Sequence, residues 1–129
     1  MESRYPHGSV QFQLPIHPAN TTLDSKILTV IVGPDPVWDS SEAKPEFAGK
    51  VEANGLTFTR KAMSDVGMSQ EKWYVIYTAS VGGKPLNLEF RLHSVQAGVS
   101  ASAIHQKDYN RAAQLKSLDE IVRSFHRLP

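Results

Sequence analysis

The sequence predicts an α+β fold: an antiparallel β-sheet of about five to six strands with a C-terminal helix packed on one face. Three observations carry that prediction. The dipeptides Asn54-Gly55 and Gly82-Gly83 each stand between runs of apolar and polar residues that suit a two-residue hairpin, the connection that joins antiparallel neighbours. Ile27 to Val32 is a mostly β-branched run closed by Gly33-Pro34, which reads as a strand buried on both faces and central in the sheet. Near the C-terminus the apolar spacing changes to that of a helix.

The elements follow in chain order. Residues 1–8, with Pro6 and Gly8, read as a poorly ordered lead-in. Val10, Phe12 and Leu14 alternate with Gln11 and Gln13 as a half-buried strand that Pro15 ends. Ile16 to Lys26 reads as a loop with one helical turn at most, and Pro34 to Lys50 as a long irregular connection holding Val37, Trp38 and Phe47. A type I′ turn needs positive φ at both central residues, so Asn54-Gly55 pairs Ala53 with Leu56 and Val51 with Phe58. Residues 62–70, with Asp65, Gly67 and Ser69, read as a second loop.

Glu71 to Val81 is the longest strand candidate, and Gly82-Gly83 turns it into Leu86 to His93. The turn fixes the register, because a slip of one residue would send every side chain to the other face. Ala79 then faces Leu86, Tyr77 faces Leu88, Val75 faces Phe90 and Trp73 faces Leu92, all on one apolar face. Residues 109–127 read as helical, with Leu118, Ile121, Val122 and Phe125 buried against that face. Ser117-Leu118-Asp119-Glu120 has the form of a capping box, which splits the segment at Leu118 if it acts as one.

At 129 residues the chain fits one domain, residues 1–129, and needs neither metal nor disulfide to bury a core. Fourteen Lys and Arg against thirteen Asp and Glu, dispersed along the chain, supply no basic stripe for nucleic acid. The absence of cysteine excludes disulfides, thiolate nucleophiles and cysteine-ligated metals. No run approaches the roughly 18 apolar residues of a membrane helix, and the N-terminus has no apolar signal core. A cytoplasmic location fits, as does export with the signal segment removed.

The five histidines at 7, 17, 93, 105 and 126 show no metal-pair spacing; His105 and Asp108 share one turn, but two ligands do not hold a metal against water. Asp35, Asp39 and Glu42 form an acidic cluster without the glycine-turned oxygen ladder of a calcium loop. Ser69-Gln70-Glu71-Lys72 matches a bare Ser-x-x-Lys pattern but enters a strand, where the lysine is not held against the serine as on a buried helix. No catalytic, cofactor-binding or metal residue is assigned. The one suggestive constellation is the polar face of the second hairpin, where the register gathers Tyr74, Glu89, Arg91 and His93. Arginine can stack on a tyrosine ring or offer its fork to a carboxylate, and histidine titrates near neutral pH. The same residues also fit an ordinary solvent-facing sheet surface. Trp38 either anchors its loop to the core or offers an aromatic contact to a partner.

The segments Val10 to Pro15, Ile27 to Val32, Val51 to Phe58, Trp73 to Tyr77, Leu86 to Ser94 and Leu118 to Phe125 come in an order that resembles the PsbP/Mog1-like fold and, more loosely, a group of small exported bacterial proteins of unknown role. The resemblance implies an accessory or binding module. The expectation is therefore a soluble, non-catalytic module binding a protein or small ligand without a cofactor, through Tyr74, Glu89, Arg91, His93 or Trp38. A homo-oligomer is compatible with it. The rival expectations are a small enzyme using His93 or His105 as an acid–base group, and an inhibitor or immunity-type protein that blocks another protein. A deep pocket enclosing Arg91 and His93 would favour the enzyme, and a flat apolar patch with Trp38 the inhibitor.

Overall fold

Six antiparallel strands and one helix account for the ordered elements of a computed structural model that describes residues 9–16, 23–33, 47–67, 70–95 and 110–125. The strands are β1 (Val10–Gln13), β2 (Leu23–Val32), β3 (Gly49–Ala53), β4 (Leu56–Gly67), β5 (Gln70–Val81) and β6 (Lys84–Val95), followed by α1 (Arg111–Arg123). Their order across the sheet is β1-β2-β6-β5-β4-β3. Strands β3 to β6 form a meander, and β2 adds to the free side of β6 with β1 outside it. The fold class read from the sequence is the one observed.

Both glycine turns set the expected registers. Asn54 and Gly55 have φ of 51° and 88°, and Gly82 and Gly83 of 60° and 80°, the two positive values a type I′ turn demands. Ala53 pairs with Leu56 and Val51 with Phe58, while Tyr77 pairs with Leu88, Val75 with Phe90 and Trp73 with Leu92.

Several features differ from the sequence reading: β1 is exposed rather than half-buried, β3 begins at Gly49 inside the expected connection, and β6 runs from Lys84 to Val95. Strand β2 starts at Leu23 and lies second from the edge, so β6 and β5 hold the centre; Ile31 and Thr29 are buried, Leu28 and Val30 half-buried and Val32 exposed. Residues 62–67 are strand rather than loop: the β4–β5 ladder runs on to Gly67 opposite Gln70, with Ala62 and Met63 buried on opposite faces. Asp65 and Gly67 gave that stretch a loop-like composition, but cross-strand pairing to β5 outweighs their weak strand preference. The helix is continuous. Its N-cap is Asn110, whose side chain accepts a hydrogen bond from the Ala113 amide at 3.0 Å, and Ser117 lies in its interior.

The face bearing Trp73, Val75, Tyr77, Leu88, Phe90 and Leu92 receives α1, through Leu118 and Val122. Ile121 and Phe125 are half-buried rather than buried, because Phe125 lies beyond the last helical turn and meets Phe58 edge-on at 5.8 Å. Polar clamps tie helix to sheet. Arg60 Nη1 donates to both Asp119 oxygens at 2.9 and 2.6 Å, its Nε donates to the Phe47 carbonyl at 2.9 Å, and the Tyr77 hydroxyl donates to Asp119 at 2.6 Å. Arg60 crosses directly over Gly49, where a Cβ would stand 2.7 Å from Nη2, so a side chain at that position would displace the guanidinium. Lys26 Nζ donates to Gln114 Oε1 at 3.0 Å, and burial holds its pKa below the ordinary lysine value. Arg111 pairs with Glu71 and lies 5.9 Å from the centre of the Trp73 ring.

Candidate functional site

The face of the sheet turned away from α1 is built from rows of directly paired residues. Ile31, Asn87, Thr78 and Thr59 form one row; Thr29, Glu89, Ile76 and Lys61 the next; Ile27, Arg91, Tyr74 and Met63 the third; and Ser25, His93, Lys72 and Asp65 the last. The register therefore gathers Tyr74, Glu89, Arg91 and His93 as the sequence predicts: Arg91 stands opposite Tyr74, with Glu89 and His93 two residues to either side along β6. Trp38 lies outside the described residues, as do Asp35, Asp39, Glu42, His105 and Asp108.

Their surroundings are not those of an open polar surface. Tyr74 is 3% exposed and forms a small apolar cluster with Met63 and Ile76, while Glu89 is fully buried. Taking a carboxyl out of water is costly. Among the described residues Glu89 and Lys26 are the buried ionisable side chains of the charged types, one on each face of the sheet. Arg91 and His93 are half-buried. His93 is held from both sides, Nδ1 lying 2.6 Å from Asp24 Oδ1 and Nε2 2.9 Å from Gln70 Oε1, so one ring joins β2, β5 and β6. That arrangement fixes the imidazole plane and engages both nitrogens.

The concavity on this face lies elsewhere along the same strands. A hollow of about 610 Å³ opens toward the Gly82-Gly83 turn, with Thr57, Thr59, Lys61, Thr78, Ser80 and Asn87 as its polar lining and Ile76 and Pro85 as apolar floor. The Thr78 hydroxyl donates to Asn87 Oδ1 at 2.5 Å, and Asn87 Nδ2 donates to the Gly33 carbonyl at 2.6 Å, which orients the amide before any ligand arrives. Hydroxyls both donate and accept. Among the described residues the lining contains neither carboxylate nor imidazole, so these side chains offer hydrogen bonds but no acid–base pair. A second hollow of about 370 Å³, lined by Asp65, Gly67, Gln70 and Lys72, sits at the other end of the strands, beside the His93 anchor.

The hydroxyl row escaped the functional reading of the sequence, although its signal was present. Thr57 and Thr59 alternate along β4, and hairpin pairing alone sets Thr78 opposite Asn87. What no pairing rule supplies is that a hollow forms there. Among the described residues no three His, Asp or Glu side chains gather as metal ligands, and no helix is long and apolar enough to cross a membrane.

Fold and face together define a class: an α+β protein whose helix closes one side of an antiparallel sheet and leaves a hydroxyl-lined hollow on the other. No family model matches the chain, and neither a curated protein nor a solved structure does so.

Proposed function

We propose that this chain is a non-catalytic binding or accessory module that takes a small ligand or a segment of a protein partner on the sheet face away from α1. The observation that carries the reading is the hollow beside the Gly82-Gly83 turn, about 610 Å³ in volume and lined by hydroxyls, the Asn87 amide and Lys61. That volume lies in the range of small-molecule sites, and its lining suits hydrogen bonding rather than proton transfer. Arg91 and His93, on the same face, stand outside it, which weighs against a His93-based enzyme. In this reading Tyr74 and Glu89 support the face from within the sheet, Arg91 and His93 extend the contact, and Trp38 is a further partner-binding residue. The resemblance to the PsbP/Mog1-like fold points the same way and belongs to the proposal.

The test is amide-resolved NMR of the whole chain, titrated separately with maltose as a neutral hydroxylated probe and with a short uncharged peptide. Saturable shifts at residues 57–61 and 78–87 are expected with one of the two probes, and Thr78→Trp should abolish them while leaving the folded spectrum intact. Shifts confined to Asp24, Gln70 and His93, or none with either probe, would overturn the assignment of the hollow. Arg91→Ala should weaken binding of the peptide, the longer probe, more than of maltose.

A further inference from the structure

Among the described strands β1 is an outer edge of the sheet, and all four of its residues are exposed. The four exposed large apolar side chains among the described residues are Val10 (49%), Phe12 (49%), Val32 (65%) and Val66 (56%), and three of them lie together. Val10 pairs with Val30 and Phe12 with Leu28, so Val10, Phe12 and the diagonal neighbour Val32 project from the same side of the sheet, the side that carries α1. Among the described residues no strand pairs with the outer side of β1 either. Leu14 donates its amide to the Lys26 carbonyl at 2.8 Å, which places residues 10, 12 and 14 in the bonded positions of the β1–β2 ladder. By the same alternation the N–H and C=O groups of Gln11 and Gln13 point away from β2.

Edge strands are ordinarily guarded by charge, proline or a bulge. The opposite edge follows that rule: β3 carries Lys50 and Glu52 exposed, with Val51 and Ala53 buried. The Val-Gln-Phe-Gln of β1 carries no charge, and Pro15 stands two residues beyond its end.

We infer that β1 is a self-association edge, at which a second copy of this chain adds its own β1 antiparallel across a twofold axis. The outward groups select the register. Pairing Gln11 with the second copy's Gln13, and Gln13 with its Gln11, uses every outward N–H and C=O within β1, four hydrogen bonds in all. The axis then passes midway between Phe12 and its symmetry mate, which meet at a non-bonded position, where Cα atoms approach to about 4.5 Å. Val10 packs beside Leu14 of the second copy. An uncharged alternating strand is its own complement under that rotation, whereas the charged β3 edge discourages the head-to-tail β1–β3 pairing that would build an open fibre. The two sheets become continuous, with both helices on one side and both hydroxyl-lined hollows on the other. A strand of this length forms a small interface, so the dimer is weak and concentration-dependent.

Sedimentation equilibrium of the whole chain over a wide concentration range reads this directly. The expected result is a reversible monomer–dimer equilibrium that Phe12→Lys shifts to monomer, because the twofold sets two like charges face to face; Phe12→Glu should do the same. An equimolar mixture of the two variants should recover association, since lysine then meets glutamate across the axis. Gln11→Pro is a second probe: it removes an outward N–H that β2 does not use, and should weaken the dimer at least about tenfold while the protein stays folded. A wild-type chain that remains monomeric at every concentration overturns the inference. So do a Phe12→Lys variant that dimerises as wild type and a mixed sample that fails to recover.

Discussion

Asp119 accepts from Arg60 and from the Tyr77 hydroxyl at once, and both donors come from the sheet while the acceptor rides on the helix. The Arg60 and Asp119 side chains retain about 15% and 14% of their exposure, so the pair is largely desolvated and its loss leaves a buried cation behind. Asp119→Ala should therefore cost about 3–5 kcal/mol in chemical denaturation. Tyr77 gives the clamp a pH signature. Burial, followed by the hydrogen bond to Asp119 and its negative charge, raises the phenol pKa above its ordinary 10.0. The folded chain thus holds the proton more tightly than the unfolded chain: the contribution is fully present below about pH 10 and is lost as pH climbs beyond it. Tyr77→Phe should flatten that alkaline fall in stability while costing about 1 kcal/mol at neutral pH for the missing hydrogen bond. Equal alkaline slopes in the two proteins would place the phenol outside the clamp. None of this could be read from Ser117-Leu118-Asp119-Glu120, where Asp119 looks like a helix N-terminal acid; its partners lie 42 and 59 residues away in sequence.

At the scale of elements, the hairpins were legible because the chemistry that sets them is local. Asn54, Gly55, Gly82 and Gly83 occupy positive φ, and each turn dictates the pairs that follow it. The helix start and the extent of β4 were less legible because their causes are not local. Ser117 has the sequence of a cap but sits between Gln114 and Leu118, both of which face the sheet, so tertiary packing carries the helix through it. Asn110 is the working cap. Asn110→Ala should cost about 1 kcal/mol, and Ser117→Ala, at an interior position where alanine is the better helix former, should cost little or nothing. Thermal melting separates them; the reverse order would mean that the helix begins at Leu118 after all. Phe125 makes the same point from the other end. Half-buried beyond the helix and edge-on to Phe58, it should lose about 1–3 kcal/mol on truncation to alanine, less than a fully buried phenylalanine.

Across the whole molecule the sheet is graded from centre to edge, and the gradient predicts how it opens. Strands β5 and β6 have a neighbour on each side and buried residues on both faces, whereas β1 has one described neighbour and no buried side chain. The sequence reading placed the most β-branched run, Ile27 to Val32, at the centre, because composition reports burial but not position in the order of strands. Crossing from β2 to β6 is a long-range pairing, and nothing local announces it. Amide hydrogen exchange at low protein concentration should therefore find β5 and β6 protected to nearly the global stability, and β1 the least protected of the strands. Within β1 the protection should alternate. Phe12 donates inward to β2 and should exchange more slowly than Gln11 and Gln13, whose amides face away from it. Raising the concentration should selectively slow Gln11 and Gln13, since those amides carry the ladder of the twofold pair, while β3 amides at the opposite, charged edge stay unchanged. Uniform slowing at both edges would instead indicate association without a preferred edge, and uniform exchange along β1 would mean that the strand detaches from β2 before any partner can read it.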